Sequence, residues 1–187
     1  MTTQDERSDG HVAEHAEHRW ASLSILILVL FTGLAAGAGI HYAVMPQARV
    51  ETVDPATAPI AGEFVESNLG SVVEPDGSVT VRALGQRYSF TPSCIVVPTN
   101  TPLTIRATSA DVIHGILIEG TNVNTMLVPG YISVITAQFA TPGEHLMPCQ
   151  EFCSIGHEGM WGKVKVIDKP SFMALATKTK RVSCVEQ

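Results

Sequence analysis

The chain has 187 residues, a formal net charge of −6 and 16% charged residues. That length accommodates one ordinary domain and a smaller appendage. The acidic excess is split evenly, −3 in residues 1–19 and −3 in the rest; it argues against a nucleic-acid partner, which requires a basic face.

Residues 1–19 form a polar tail holding His11, His15 and His18, which share one helical face beside Glu14 and Glu17. A metal site there competes with a solvated helical extension. The absence of cysteine and of any burying partner favours the solvated extension. From Trp20 to Tyr42 there is no Lys, Arg, Asp or Glu. A helix of ~20 residues crosses a ~30 Å hydrocarbon core, and aromatics favour the headgroup level at both ends. A cleaved secretory signal is the rival, with small residues Ala35 to Gly39 as its cleavage region. Signal cores run ~7–15 residues, so the length of this run favours a retained transmembrane helix over 20–42. Arg7 and Arg19 precede the span and only Arg49 follows closely. That bias predicts a cytoplasmic N-terminus and a domain on the periplasmic or extracellular face.

Residues 43–78 read as a linker, broken by Pro46, Pro55, Pro59 and Pro75, with Pro75-Asp76-Gly77 a turn signal. From Val79 onward the pattern is β. Strands are expected at Ser78–Ala83, Cys94–Val97, Leu103–Thr108, His114–Ile118, Ile132–Phe139 and Lys163–Ile167. Turn signals such as Thr91-Pro92, Pro129-Gly130 and Pro142-Gly143 separate them. Short strands at this spacing predict a mainly β sandwich or barrel over 79–168, followed by a C-terminal extension, 169–187.

The run CQEFCSIGHEGMWG, residues 149–162, reads C-x3-C-x3-H-x2-M. It falls on a loop between strand candidates. A further histidine, His114, opens an earlier strand. Cys149, Cys153, His157, Met160 and His114 are soft to borderline ligands that suit copper and exclude carboxylate-seeking metals. A mononuclear blue-copper site uses one thiolate; a second thiolate allows two sulfurs to bridge two coppers. Three rivals remain: a structural zinc site without Met160, a Cys149–Cys153 disulfide, and incidental core residues. Each leaves some of these side chains unexplained, which favours two coppers. Cys94 and Cys184 lie outside the pattern and are expected to be unpaired.

The stretch DVIHGILIEGTNVNTMLVPGYISVITAQFATPGEHLMPCQEFCSIGHEGMWGKVKV resembles subunit II of haem-copper cytochrome c oxidases and is similar to the ba-type branch. The resemblance implies one transmembrane helix before a cupredoxin-like Greek-key barrel or sandwich that carries a dinuclear CuA centre. Cys149 and Cys153 resemble the bridging thiolates. His114 and Met160 would bind one copper; His157 and the backbone carbonyl of Glu151 the other. Glu151 matches many family members, whereas Gln is familiar in the ba-type branch; only the carbonyl is implied as ligand. Tyr88 and Phe90 match the aromatic segment near the copper centre and donor-docking surface, with strand core the competing reading. Trp161 follows the last ligand and is expected to pack on the site or its surface, with an electron-transfer or docking role. Asp111 is expected to cap a turn, and Glu119 to lie near the partner subunit.

The implied activity is electron entry. Cytochrome c or a small blue-copper protein would donate, and a haem-bearing subunit I would receive the electron and reduce oxygen. The chain itself would catalyse no bond chemistry and would be held in the lipid of the cell membrane. The rivals are the CuA subunit of a nitric oxide reductase and a membrane-tethered copper-binding or delivery protein.

Overall fold

The computed structural model describes residues 5–42, 50–179 and 181–184, with side chains of the first helix described from Glu14 to His41. The chain divides into two compact units, Met1–Ala48 and Arg49–Gln187. The first is helix α1, Asp5–Tyr42. Its stretch Glu14–His41 is long and apolar enough to cross a membrane, and none of its most apolar window is buried. Leucine, isoleucine and phenylalanine side chains project outward all along it, which suits lipid and not water. His15 and His18 are exposed on this helix, as a solvated extension requires, whereas the side chains of His11 and Tyr42 lie outside the described residues.

The second unit is the mainly β, cupredoxin-like sandwich. Its strands are β1 (Glu51–Thr52), β2 (Gly70–Val73), β3 (Val79–Gln86), β4 (Ser89–Thr91), β5 (Cys94–Pro98), β6 (Leu103–Ser109), β7 (His114–Leu117), β8 (Asn124–Leu127), β9 (Tyr131–Ala137), β10 (Gly143–Pro148) and β11 (Trp161–Ile167). One sheet runs β1-β9-β6-β3-β2, with β4 added to β3; a second runs β10-β11-β5; β7 and β8 form a separate pair. Alternation does the sorting. Val79, Val81 and Ala83 of β3 face the core with Leu103 and Ile105 of β6, and meet Val164 and Val166 of β11 in one cluster.

The outward residues of the same strands create a charge problem. The parallel register sets Arg82 beside Arg106, and like charges side by side repel. Glu63 answers it by accepting from the Nε of both arginines, and Glu51 accepts from Arg106 Nη1 and Nη2 at 3.2 and 2.7 Å. Burial pushes the Glu63 carboxyl up, but hydrogen bonds and charge from Arg106 and then Arg82 outweigh it and hold it below the ordinary carboxylate range.

Three expectations are corrected. The stretch 43–78 is no linker over its described part. It supplies β1, β2 and the fully buried Ala58 and Phe64. Pro55, Pro59 and Pro75 lie outside the strands, and Pro75 sits in the β2–β3 turn, where Gly77 takes φ +83°; Pro46 lies outside the described residues. The C-terminal extension is also part of the domain. Asp168 caps helix α2, Lys169–Ala176, by accepting from the Ser171 amide at 2.9 Å, and Phe172 is fully buried. Beyond it Val182 bridges to Ser71 and Ser183 to Ile95. That placement pairs Cys94 with Cys184 in a disulfide, contrary to the unpaired expectation: the Cα atoms are 5.4 Å apart, within the bridging range.

Two measurements follow. The disulfide spans 90 residues, and a long closed loop costs the unfolded chain much of its freedom, so Cys184→Ser should lower stability by about 2–4 kcal/mol, read as a lower urea midpoint. A change within about 0.5 kcal/mol would show that the tail is held by its other bonds alone. Glu63 has a depressed folded pKa, so its contribution is full above the unfolded carboxylate value of ~4.3 and is lost as pH falls through the lower folded value. The stability gap between wild type and Glu63→Gln should therefore be flat near neutrality and close in acid; a gap that widens in acid would refute the assignment.

Candidate metal centre

The ligand loop is the connection between β10 and β11. These strands pair up to Pro148↔Trp161, and the Cys149 amide then donates to the Met160 carbonyl at 3.0 Å. The first and last ligand candidates of the loop are thereby fixed opposite each other at its neck. Inside the loop, Ser154 and Gly156 take φ of +111° and +109°. Glycine does so freely; for Ser154 this is sparsely populated backbone, of the kind found at functional sites. The Met160 amide donates to the His157 carbonyl, closing a short helical turn over His157–Gly159.

His114 arrives from elsewhere, at the start of β7. Its ring is fully buried. A Cβ on Gly85 of β3 would lie 3.3 Å from the ring Cδ2, so glycine there leaves room for the imidazole. Gln150 packs over Gly115, where a Cβ would meet its amide at 2.5 Å, and donates to Asn124 Oδ1 at 2.8 Å.

All six expected donors converge. Cys149 Sγ lies 3.9 Å from His114 Nδ1 and 3.2 Å from the Glu151 carbonyl oxygen. Cys153 Sγ lies 3.6 Å from His157 Nδ1 and 3.8 Å from Met160 Sδ. Donor atoms of His114, Cys149 and Cys153 all fall within 4.8 Å of one another. A cation ~2.0 Å from an imidazole nitrogen and ~2.3 Å from a thiolate separates the two donors by roughly 3.5–3.9 Å, so the residues present fit a metal. The sulfur-rich set suits copper. Both cysteines are free, which removes the Cys149–Cys153 disulfide. Burial, then the neighbouring Cys149 sulfur, pushes the Cys153 thiol up to about 11.

The three aromatic expectations divide. Trp161 is half exposed at the rim, its Nε1 donating to the Glu158 carbonyl at 2.7 Å. Tyr88 is partly exposed and its ring lies against Gly156, 3.2 Å from where a Cβ would stand. Phe90 is only 2% exposed; it is core beneath Gly162, so a place on a docking surface is corrected. The cause is that Tyr88 sits in the turn before β4 while Phe90 lies inside the strand. Phe152 and Ile155, at 74% and 89% exposed, are loop residues that sequence reasoning passed over; their position between ligands was the available signal. Glu119 is exposed, its amide donating to the Leu146 carbonyl and its carbonyl 2.8 Å from His145 Nδ1.

Asp111 does cap its turn, accepting from the Val112 amide at 2.7 Å. It also reaches His114 Nε2 at 2.8 Å and the Arg87 amide at 2.8 Å, contacts that the sequence reading missed. Burial pushes its carboxyl up, but the Arg87 amide, the His114 ring and the Val112 amide outweigh this and hold it at about 2.

The family described as cytochrome c oxidase subunit II, periplasmic domain, matches residues 68–167. Cytochrome c oxidase subunit 2 of Thermus thermophilus is 33% identical over 165 residues, covering 83% of this chain and 98% of that protein. The protein of the same name from Saccharomyces cerevisiae is 31% identical over 113 residues, 60% of this chain and 43% of that one. Among solved structures, a chain of a heme-copper terminal oxidase dimer superposes with a TM-score of 0.62 at 26% identity, covering 81% of this chain and 99% of that chain.

A thiol raised to about 11 is protonated near neutrality, and a metal binds the thiolate. Copper loading of the metal-free chain should release a proton from Cys153, and this thiol alone should weaken apparent affinity ~10-fold per pH unit of acidification. A pH-stat titration reads both. Uptake that is independent of pH would exclude Cys153 as a thiolate ligand.

Proposed function

Because the chain belongs to the cytochrome c oxidase subunit II family, we propose that Cys149, Cys153, His114, His157, Met160 and the Glu151 carbonyl hold a dinuclear copper centre. The chain is a membrane-anchored subunit of a haem-copper oxidase and partners subunit I. When bound, the copper pair supplies a one-electron store between an external donor and the haem of subunit I.

The observation that carries the two-metal reading is the distribution of donors around the sulfurs. Cys149 has His114 and the Glu151 carbonyl beside it; Cys153 has Met160 and His157. With His114 and Met160 serving one metal and His157 and the carbonyl the other, each sulfur adjoins one donor of each set. A mononuclear site has no use for that symmetry. Burial of Cys149, Cys153, His114 and Met160 favours a fixed centre over copper delivery, which needs exchangeable ligands.

The remaining residues keep that centre still and reachable. The neck of the loop holds its first and last ligands at a set distance. Trp161, Tyr88, Phe152 and Ile155 present apolar surface at the rim, against which cytochrome c or a small blue-copper protein docks. Helix α1 lies in the lipid of the cell membrane with its N-terminus cytoplasmic, which places the copper domain on the periplasmic or extracellular face.

The test is optical and EPR spectroscopy on the copper-loaded full-length chain. A purple protein with a seven-line copper hyperfine pattern is expected; a four-line pattern with one copper per chain would refute two metals. Cys149→Ser should abolish the dinuclear signature. Met160→Leu should keep two coppers and raise the reduction potential, since a weak donor to the oxidised metal is lost. An unchanged potential would remove Met160 from the ligand set.

A further inference from the structure

Asp111 is outside the ligand set, yet its carboxylate contacts the His114 ring directly and the Arg87 amide, next to Tyr88, with its other oxygen. Oδ1 lies 2.8 Å from His114 Nε2 and accepts from the Val112 amide. Oδ2 accepts from the Arg87 amide at 2.8 Å and from Arg87 Nε at 3.3 Å. An ionised carboxylate only accepts, so the imidazole proton resides on Nε2. Nδ1, the atom facing Cys149 Sγ, then presents a lone pair. On the other oxygen, the Arg87 amide leads directly into Tyr88, whose ring lies against Gly156, between Cys153 and His157.

We propose that Asp111 is a positioning residue for the metal centre. It fixes the tautomer and rotation of His114. Through the Arg87 amide it also seats the Tyr88 ring against the loop that carries Cys153 and His157. One carboxylate thus braces a ligand from β7 directly and the ligand loop at one remove. A turn cap needs only the bond from the Val112 amide and the Asp111 amide's own donation to Ser109 Oγ at 3.2 Å. The bonds to His114 and Arg87 go beyond capping, and second-sphere carboxylates of this kind both orient a ligating imidazole and raise its basicity. The inference rests on the reading of this cluster as a copper site.

The first experiment needs no metal. Nitrogen NMR of the histidines in the metal-free full-length chain, above the imidazole titration range, should show His114 solely as the Nε2–H tautomer. Asp111→Ala should give a tautomer mixture, and Asp111→Asn, with its amide oxygen toward His114, should restore the Nε2–H form. The second experiment loads copper. Asp111→Ala should bind ~10–100-fold more weakly and shift the reduction potential upward, because a less basic imidazole favours the reduced metal. Tyr88→Ala should perturb the His157 resonances and leave the His114 tautomer intact. An Nδ1–H tautomer in the wild type would overturn the proposal even if Asp111→Ala does not fold. So would a folded Asp111→Ala with unchanged tautomer, copper affinity and potential, which would leave a turn cap only. Failure of the wild type to take up copper would instead refute the copper reading, and the tautomer measurement keeps the two failures apart.

Discussion

The hydrogen bond from the Cys149 amide to the Met160 carbonyl is the constraint on which the site depends. It extends the β10–β11 ladder one step past its last named pair and closes the ligand loop at its neck. A closed loop loses its freedom when the domain folds, so less ordering is left for metal binding. The same hairpin is tied to the His114 strand, since the Glu119 amide just beyond β7 donates to the Leu146 carbonyl in β10. Two distant parts of the sequence therefore bring their donors together through backbone bonds. Side-chain packing then fine-tunes them: Gly85 leaves room for the imidazole and Gln150 lies over Gly115.

What could be read in advance follows from how local each signal is. Cys149, Cys153, His157 and Met160 lie in one loop, and their spacing alone announces a soft-metal site. His114 stands 35 residues from Cys149, so only its ligand chemistry and the family resemblance could join it to them. Strands with alternating β-branched residues, such as β6 and β11, were legible. β8 and β10 were not, because NTML and GEHLMP carry almost no β-branched alternation and are half exposed. Phe90 was misplaced because the family resemblance carries Tyr88 and Phe90 to the docking surface together, whereas only Tyr88, in the turn before β4, stays exposed. Asp111 was legible as a cap, but its reach to His114 and Arg87 depends on a tertiary fold that no local pattern encodes.

The segment before β3 shows how composition can mislead. Four prolines suggested a linker, yet prolines also mark the corners between elements that pack. Glu51 and Glu63 come from this segment, and the parallel β3–β6 register makes them necessary, since it sets two guanidinium groups side by side. The need for these acids arises about 20 to 55 residues away in sequence, which is why it cannot be read where they occur.

The domain carries one oxidised and one reduced cysteine pair. Any compartment oxidising enough to form the first also threatens the second. Burial supplies a kinetic answer: both sulfurs are shielded from solvent, and disulfide exchange requires access to the attacking thiol. Cys94 lies on the β5 sheet edge, which the segment carrying Cys184 covers through the Ile95–Ser183 bridge. One pair thus locks the outside of the sandwich, and burial keeps the inner pair reduced and available to a metal.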